Sequence, residues 1–156
     1  MTRLQAAITA VRNLRGEYAV PPSRRAPVTV SSPDPAARAA LERHAGDVAR
    51  LAWASELRVV ETPPREDGVV SQVVGGGLEV AVRLADLVDV GRERARLDEE
   101  LERARSLLAG TRARLENEAF VERAPEDVVG REREKAADLE RSIERLRGLR
   151  DALGPV

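Results

Sequence analysis

The stretch VGRERARLDEELERARSLLAGTRARLEN, residues 90–117, decides how this chain is built. Val90, Leu97, Leu101, Ala104, Leu108 and Leu115 recur at steps of seven, four, three, four and seven, the spacing of an a/d seam on a helix, with Arg94 and Thr111 as interruptions. A second stretch, PEDVVGREREKAADLERSIERLRGLRDAL (residues 125–153), carries Val129, Ala136, Leu139, Ile143, Leu146 and Leu153 on one stripe. Pro125 suits a first helical turn, where its missing N–H has no partner to lose. The residues between, Glu118–Ala124, have room only for a reversal. Two helices of about 27 residues, at a rise of 1.5 Å each, predict an antiparallel hairpin roughly 40 Å long. Composition agrees. Of residues 91–156, 45 of 66 are Ala, Glu, Lys, Leu or Arg, well above the half that marks long helices.

Residues 1–90 follow another grammar. Five of the nine prolines lie before residue 36. Leu4, Ile8, Val11 and Leu14 form an amphipathic helical stripe that should end near Gly16. Pro21-Pro22 excludes helix, and Val28-Thr29-Val30 reads as a short strand. Asp34-Pro35 opens a helix with Ala40, Leu41, Val48, Leu51 and Ala52 facing inward. Strand-like runs follow at Leu57–Glu61, Val69–Val74 and Leu78–Leu84, and the glycines 75–77 suggest a hairpin between the last two. The expected fold class is α+β: a small mixed β-α-β-β-β unit with one helix on its sheet, followed by the long antiparallel two-helix coiled-coil hairpin. The expected division is residues 1–20 (N-terminal helix), 21–88 (small α/β unit) and 89–156 (coiled-coil arm). A unit of about 65 residues is marginal alone, so docking on a neighbour is expected.

Composition narrows the chemistry. The chain has 156 residues, with 26 basic against 27 acidic side chains, so whole-surface attraction for polyanions is excluded while a local basic patch is not. Only Trp53, Tyr18 and Phe120 are aromatic, too few to line a large aromatic pocket. The absence of cysteine removes disulfides, thiolate metal sites and cysteine nucleophiles together. No apolar run approaches the ~20 residues of a membrane span, and no signal peptide opens the chain, which predicts a soluble, cytoplasmic protein. The triple glycine leads into a strand and lies far from Lys135, the one lysine, so it reads as a turn and not a phosphate loop. His44, the one histidine, has no second ligand for a metal, and Ser55 carries no nucleophile-elbow motif. Glu126 and Asp127 complement a helix dipole, and Glu99-Glu100 lie on a solvated face. No catalytic or metal site is expected, and a binding module is favoured over an enzyme.

The arginines carry the remaining signal. Arg12 and Arg15 share a helix face, and Arg24-Arg25 follow the double proline, with Glu17 the only acid among residues 12–25. Arg92, Arg94, Arg96, Arg103, Arg105, Arg112 and Arg114 crowd the first arm helix. A guanidinium fork pairs with phosphate and stacks on bases. Residues 91–156 nevertheless hold 16 acids against 15 bases, as an ion-paired solvated coiled coil does. Charge alone leaves two readings open: nucleic-acid binding, and a structural or protein-interaction coiled coil.

Three segments, in order, resemble the C-terminal end of valyl-tRNA synthetases. They are Val11-Arg12-Asn13-Leu14-Arg15 with Tyr18-Ala19-Val20-Pro21-Pro22-Ser23-Arg24-Arg25; then Leu84-Ala85-Asp86-Leu87-Val88-Asp89-Val90; then the hairpin tip. The tip is the most specific: Asn117-Glu118-Ala119-Phe120-Val121-Glu122-Arg123-Ala124-Pro125, with Val128-Val129 and Glu132-Arg133 beyond it. The same tip has an architectural reading, in which Phe120 covers the seam and Pro125 restarts the helix. The resemblance implies that residues 1–20 end an anticodon-binding helical domain. It also implies that the coiled coil leans on the outer corner of folded tRNA, where the D and T loops meet. tRNA is then the implied partner, beside the catalytic body of the synthetase if the chain is a fragment. With that ligand, the arginines expected to make the contacts are Arg12, Arg15, Arg24 and Arg25 near the base, with Arg94, Arg103, Arg105 and Arg112 on the arm. Phosphate contacts of this kind orient an RNA without reading its sequence. The family's ATP-dependent ligation of valine to tRNA uses signature motifs rich in histidine and lysine. With His44 and Lys135 alone this chain departs from them, so it should hold no ATP or other cofactor and should not aminoacylate by itself. Met1 falls within what should be a continuing helix, which favours a truncated or separately encoded piece over a whole enzyme.

Overall fold

A computed structural model describes residues 2–154. In chain order the elements are α1 (Arg3–Glu17), β1 (Val28–Ser31), α2 (Pro35–Arg43), α3 (Ala45–Leu51), β2 (Leu57–Val60), β3 (Val69–Val74) and β4 (Leu78–Arg83). A 3-10 turn (Leu84–Asp86) then leads to α4 (Val90–Glu116), α5 (Glu118–Arg123) and α6 (Glu126–Ala152). The class is α+β, in two units: residues 2–93 with 152–154, and the arm Arg94–Asp151.

The first unit is built on a sheet of order β2-β1-β4-β3. β1 runs parallel to β2 and antiparallel to β4, and β3 and β4 form an antiparallel hairpin. A parallel pair needs a crossover, which α2 and α3 supply. Register sets Val28 opposite Val82 and Val30 opposite Val80, all four buried. Gly76 and Gly77 turn the hairpin with φ of 80° and 76°, a conformation that costs glycine nothing.

Three helices pack on this sheet where one was expected. α1 lies against β3, β4 and α3 through Ala7, Ala10, Val11 and Leu14, so the N-terminal segment is part of the sheet unit and does not stand apart from it. Thr2 and Gln5 close α1 with a reciprocal capping box. The helix ends beyond Gly16: Tyr18 caps it and Ala19, at φ 48°, takes the left-handed position. The helix expected after Asp34 is two, because the chain breaks at His44. Asp34 caps α2 by accepting from Ala36 N–H, with Pro35 in the first turn. The break restarts the helical phase. Leu41, Val48 and Ala52 stay buried, but Ala40 is half-buried and Leu51 is 40% exposed.

The arm pairs α4 with α6, each of 27 residues. Asp98 with Arg150, and Arg114 with Glu132, tie the start of one helix to the end of the other, as antiparallel packing requires. Its seam buries Leu97, Leu101, Ala104 and Leu108 on α4, and Val129, Ala136, Ile143, Leu146 and Leu149 on α6. Thr111 is not a break in the seam: it is 2% exposed and continues it. Leu149 joins the stripe, whereas Leu115 and Leu139 are half-buried. The reversal holds a helix of its own, α5, because Asn117 accepts from Phe120 N–H and so nucleates a turn. Phe120 is half-buried.

Candidate nucleic-acid interface

In the sheet unit the fold turns two of the arginines inward. Arg15 follows Leu14 on the buried face of α1 and is 6% exposed. Its guanidinium donates to the carbonyl oxygens of Pro21, at 3.0 Å, and Trp53, at 3.5 Å. Burial, and then the charge of Arg25, hold its pKa below the usual arginine value. Arg12, one turn earlier, donates through Nε and Nη2 to the Leu51 carbonyl at 3.0 and 2.7 Å. That carbonyl ends α3, where no intrahelical donor remains. Both guanidinium groups also sit over the Trp53 ring, 5.4 and 5.9 Å from its centroid. Arg12 and Arg15 therefore hold the unit together through carbonyls and an aromatic face. Arg24 and Arg25 are exposed and form no ion pair among the described residues.

Arm arginines meet carboxylates instead. Arg103 pairs with Glu99 one turn away, and Arg112 reaches across to Glu140 at 2.7 Å. Arg96–Glu100, Arg114–Glu132, Arg131–Asp127, Arg141–Asp138, Arg147–Glu144 and Arg150–Asp98 are further pairs. Most are exposed, and an exposed pair contributes only about 0–1 kcal/mol. Asp98 is held below the usual carboxylate range, first by its hydrogen bond from Arg150 and then by the charges of Arg150, Arg94 and Arg105. Arg94 is half-buried. Five arm cations, Arg105, Arg123, Arg133, Lys135 and Arg145, form no ion pair among the described residues.

One groove gathers several of these charges. Arg105 and Arg112, seven residues apart on α4, line it with Leu108 and with Glu140, Glu144 and Arg147 of α6. Arg103 lies apart from it, on a patch with Glu99, Glu102 and the 54% exposed Leu107. Of the residues anticipated from sequence, the groove thus unites Arg105 and Arg112, and it adds Arg147. The signal for Arg147 was available: projecting α6 on its own heptads puts 140, 144 and 147 beside one flank of the seam. Such a groove offers guanidinium forks at helical spacing to an extended anion, over side chains whose present partners are exchangeable at small cost.

Among the described residues no helix is long and apolar enough to cross a membrane. Comparison with known proteins gives a consistent result. The family model described as the valyl tRNA synthetase tRNA binding arm matches residues 89–154. The valine–tRNA ligase of Clostridium perfringens is 38% identical over 154 residues, 96% of this chain and 17% of that protein. That of Nitratidesulfovibrio vulgaris is 36% identical over 158 aligned residues, 99% of this chain and 18% of its own length. That of Francisella tularensis is 34% identical over 151, or 97% and 16%. The chain spans about a sixth of the length of the curated relatives it matches.

Proposed function

Because this chain belongs to the C-terminal region of the valyl-tRNA synthetase family, we propose that it is a noncatalytic tRNA-holding appendage in protein biosynthesis. Its arm meets the outer corner of folded tRNA, and arginines make the contacts. The observation that carries this reading is a coincidence of boundaries. The tRNA-binding-arm match, residues 89–154, falls on the antiparallel helices whose groove holds Arg105, Arg112 and Arg147. Arg105 is the centre of the contact, since it forms no ion pair among the described residues. Arg112 and Arg147 exchange exposed carboxylate partners for phosphates, a trade of less than about 1 kcal/mol each. Arg24 and Arg25 add charge on the sheet unit, while Arg12 and Arg15 act by holding the fold. Contacts of this type sense the shape of folded RNA and leave the choice of amino acid to the rest of a synthetase, where ATP is used. The working partners are tRNA and that catalytic body, in the cytoplasm.

Filter binding of a folded tRNA transcript over a salt series tests this. Three phosphate contacts predict a log–log slope near −2 to −3, and Arg105→Ala should flatten it by about one contact while lowering affinity. Salt-independent association, or none at low salt, would leave the many ion pairs as the arm's purpose and favour a protein-interaction coiled coil.

A further inference from the structure

Trp53 occupies a place that its residue type does not suit. α3 ends in a Schellman arrangement: Ala54 N–H donates to Ala49 O at 2.9 Å, and Trp53 N–H donates to Arg50 O at 3.4 Å. The residue between cap and return must be left-handed, and glycine is the usual occupant. Here it is Trp53, at φ 56°. A bulky side chain in that region is strained, and strain of this kind persists where surrounding contacts enforce it. Those contacts are present. Arg12 and Arg15 lie over the ring within cation–π range, and both bond to carbonyls of the same turn, Leu51 and Trp53. Two arginines from a neighbouring helix thus fix an aromatic ring that remains 45% exposed.

The surroundings select the partner. Arg25 and Arg50 line a groove with Ala54, Ser55 and Glu56, the residues that follow Trp53 in the chain. Arg12 and Arg15 bond only to carbonyls, and Arg25 forms no ion pair among the described residues. Arg50 pairs with Asp47 at 3.6 Å, and Glu56 is taken by Arg58. The charge of Arg25 is felt at buried Arg15. A protein partner docking on Trp53 and the exposed Leu51 would have to cover these cations; a nucleotide strand supplies both a flat base for the ring and phosphates for the arginines.

We propose that Trp53, fixed by Arg12 and Arg15, is a stacking platform for an unpaired nucleobase of RNA, with Arg25 and Arg50 of the groove at Ala54 and Ser55 available to the adjoining phosphates, a contact separate from the arm groove. It rests on the proposed function only in taking RNA as the partner. Base–aromatic stacking is sequence-tolerant and typically weakens about tenfold or more when the ring is removed.

Trp53 is the only tryptophan, so its emission reports the contact directly. Two probes are titrated into the 156-residue protein: a folded tRNA transcript and a short single-stranded oligoadenylate. Both should quench Trp53 emission to saturation. Trp53→Gly should bind the oligoadenylate roughly tenfold more weakly. Because glycine adopts the left-handed turn freely, that variant keeps the fold, checked by circular dichroism and melting temperature, and loss of binding cannot be ascribed to unfolding. Salt-dependent tRNA binding with unchanged emission from both probes would overturn the platform and leave the arm reading standing. Quenching by oligoadenylate without measurable tRNA binding would leave the platform standing and overturn the arm reading. Oligoadenylate affinity unaltered in Trp53→Gly would also overturn the platform, as would emission that responds only to the rest of a relative's synthetase.

Discussion

Two arginines of the sheet unit are used in the opposite way to those of the arm, although the sheet unit also carries surface pairs such as Arg3–Asp34 and Arg83–Glu66. In the sheet unit, Arg12 and Arg15 leave their helix face to bond carbonyl oxygens and cover an aromatic ring, with no carboxylate among those partners. In the arm, arginine after arginine lies on the surface against a carboxylate three or four residues away or across the hairpin. The difference follows from packing. A small sheet covered by three short helices ends those helices inside the unit, and their orphan carbonyls need donors that reach. Two long helices satisfy their own backbones and leave only the flanks of a seam to be charged. Arginine is therefore structural where helices end and exchangeable where they continue.

The sharpest way to break that contrast is to remove one arginine from each unit. Arg15→Met removes the side-chain donor to the Trp53 carbonyl and one of two donors to the Pro21 carbonyl, which also accepts from Arg24 N–H, and should cost about 2–3 kcal/mol. Arg112→Ala gives up an exposed pair and should cost less than about 1 kcal/mol. Urea melts of the two variants, followed by circular dichroism, measure both. Equal losses would show that burial does not separate the two classes of arginine.

That contrast also marks where sequence reading stops. The arm was legible because a heptad reports a periodic surface: Leu97, Leu101, Leu108, Ile143 and Leu146 are buried as their spacing requires. The strands Val69–Val74 and Leu78–Arg83 were legible from alternation and from the glycines between them. What was not legible depends on contacts distant in sequence. The destination of Arg15 is set by Trp53, 38 residues away. The break at His44 has no proline or glycine at it; tertiary packing of α2 and α3 against β2 decides it, and with it the exposure of Leu51. α5 was missed because its six residues carry no periodic stripe, although Asn117 was a readable cap. Likewise the seam position of Thr111 is polar by type and buried by geometry.

The ends of α1 and α3 sharpen the contrast further, because both place a non-glycine residue in the left-handed position, Ala19 and Trp53. Val20 N–H donates to Arg15 O at 2.9 Å and Ala19 N–H to Gly16 O at 3.1 Å, the same pair of return bonds found at Trp53. Ala19 is exposed and has no ring to be held, so its strain lacks the compensation that the arginines give Trp53. Ala19→Gly should stabilise the sheet unit by roughly 0.5–1 kcal/mol, seen as a higher melting temperature. A destabilisation would mean that the methyl group packs, and that left-handed geometry alone is not the cost.

The smallest expected effect lies in the arm and is read by pH. Arg150 donates to Asp98 and, through that hydrogen bond and its charge, holds the carboxyl below the ordinary carboxylate range. A carboxyl depressed on folding contributes stability that is complete above its unfolded pKa, near 3.9, and that disappears as pH falls through the lower folded value. The contribution is confined to the acid side, and exposure to solvent and salt keeps it slight. Carboxyl-carbon NMR titration should place the Asp98 midpoint below the usual value in the native chain and return it toward that value in Arg150→Ala, with the neutral-pH melt almost unmoved. An unshifted midpoint in the native chain would show that the cross-helix pair does not persist in solution. Arg150 would then be a cation without a fixed partner in the recess it lines with Arg105 and Arg147, and that part of the arm would present more charge to an anion than the pairing of its side chains implies.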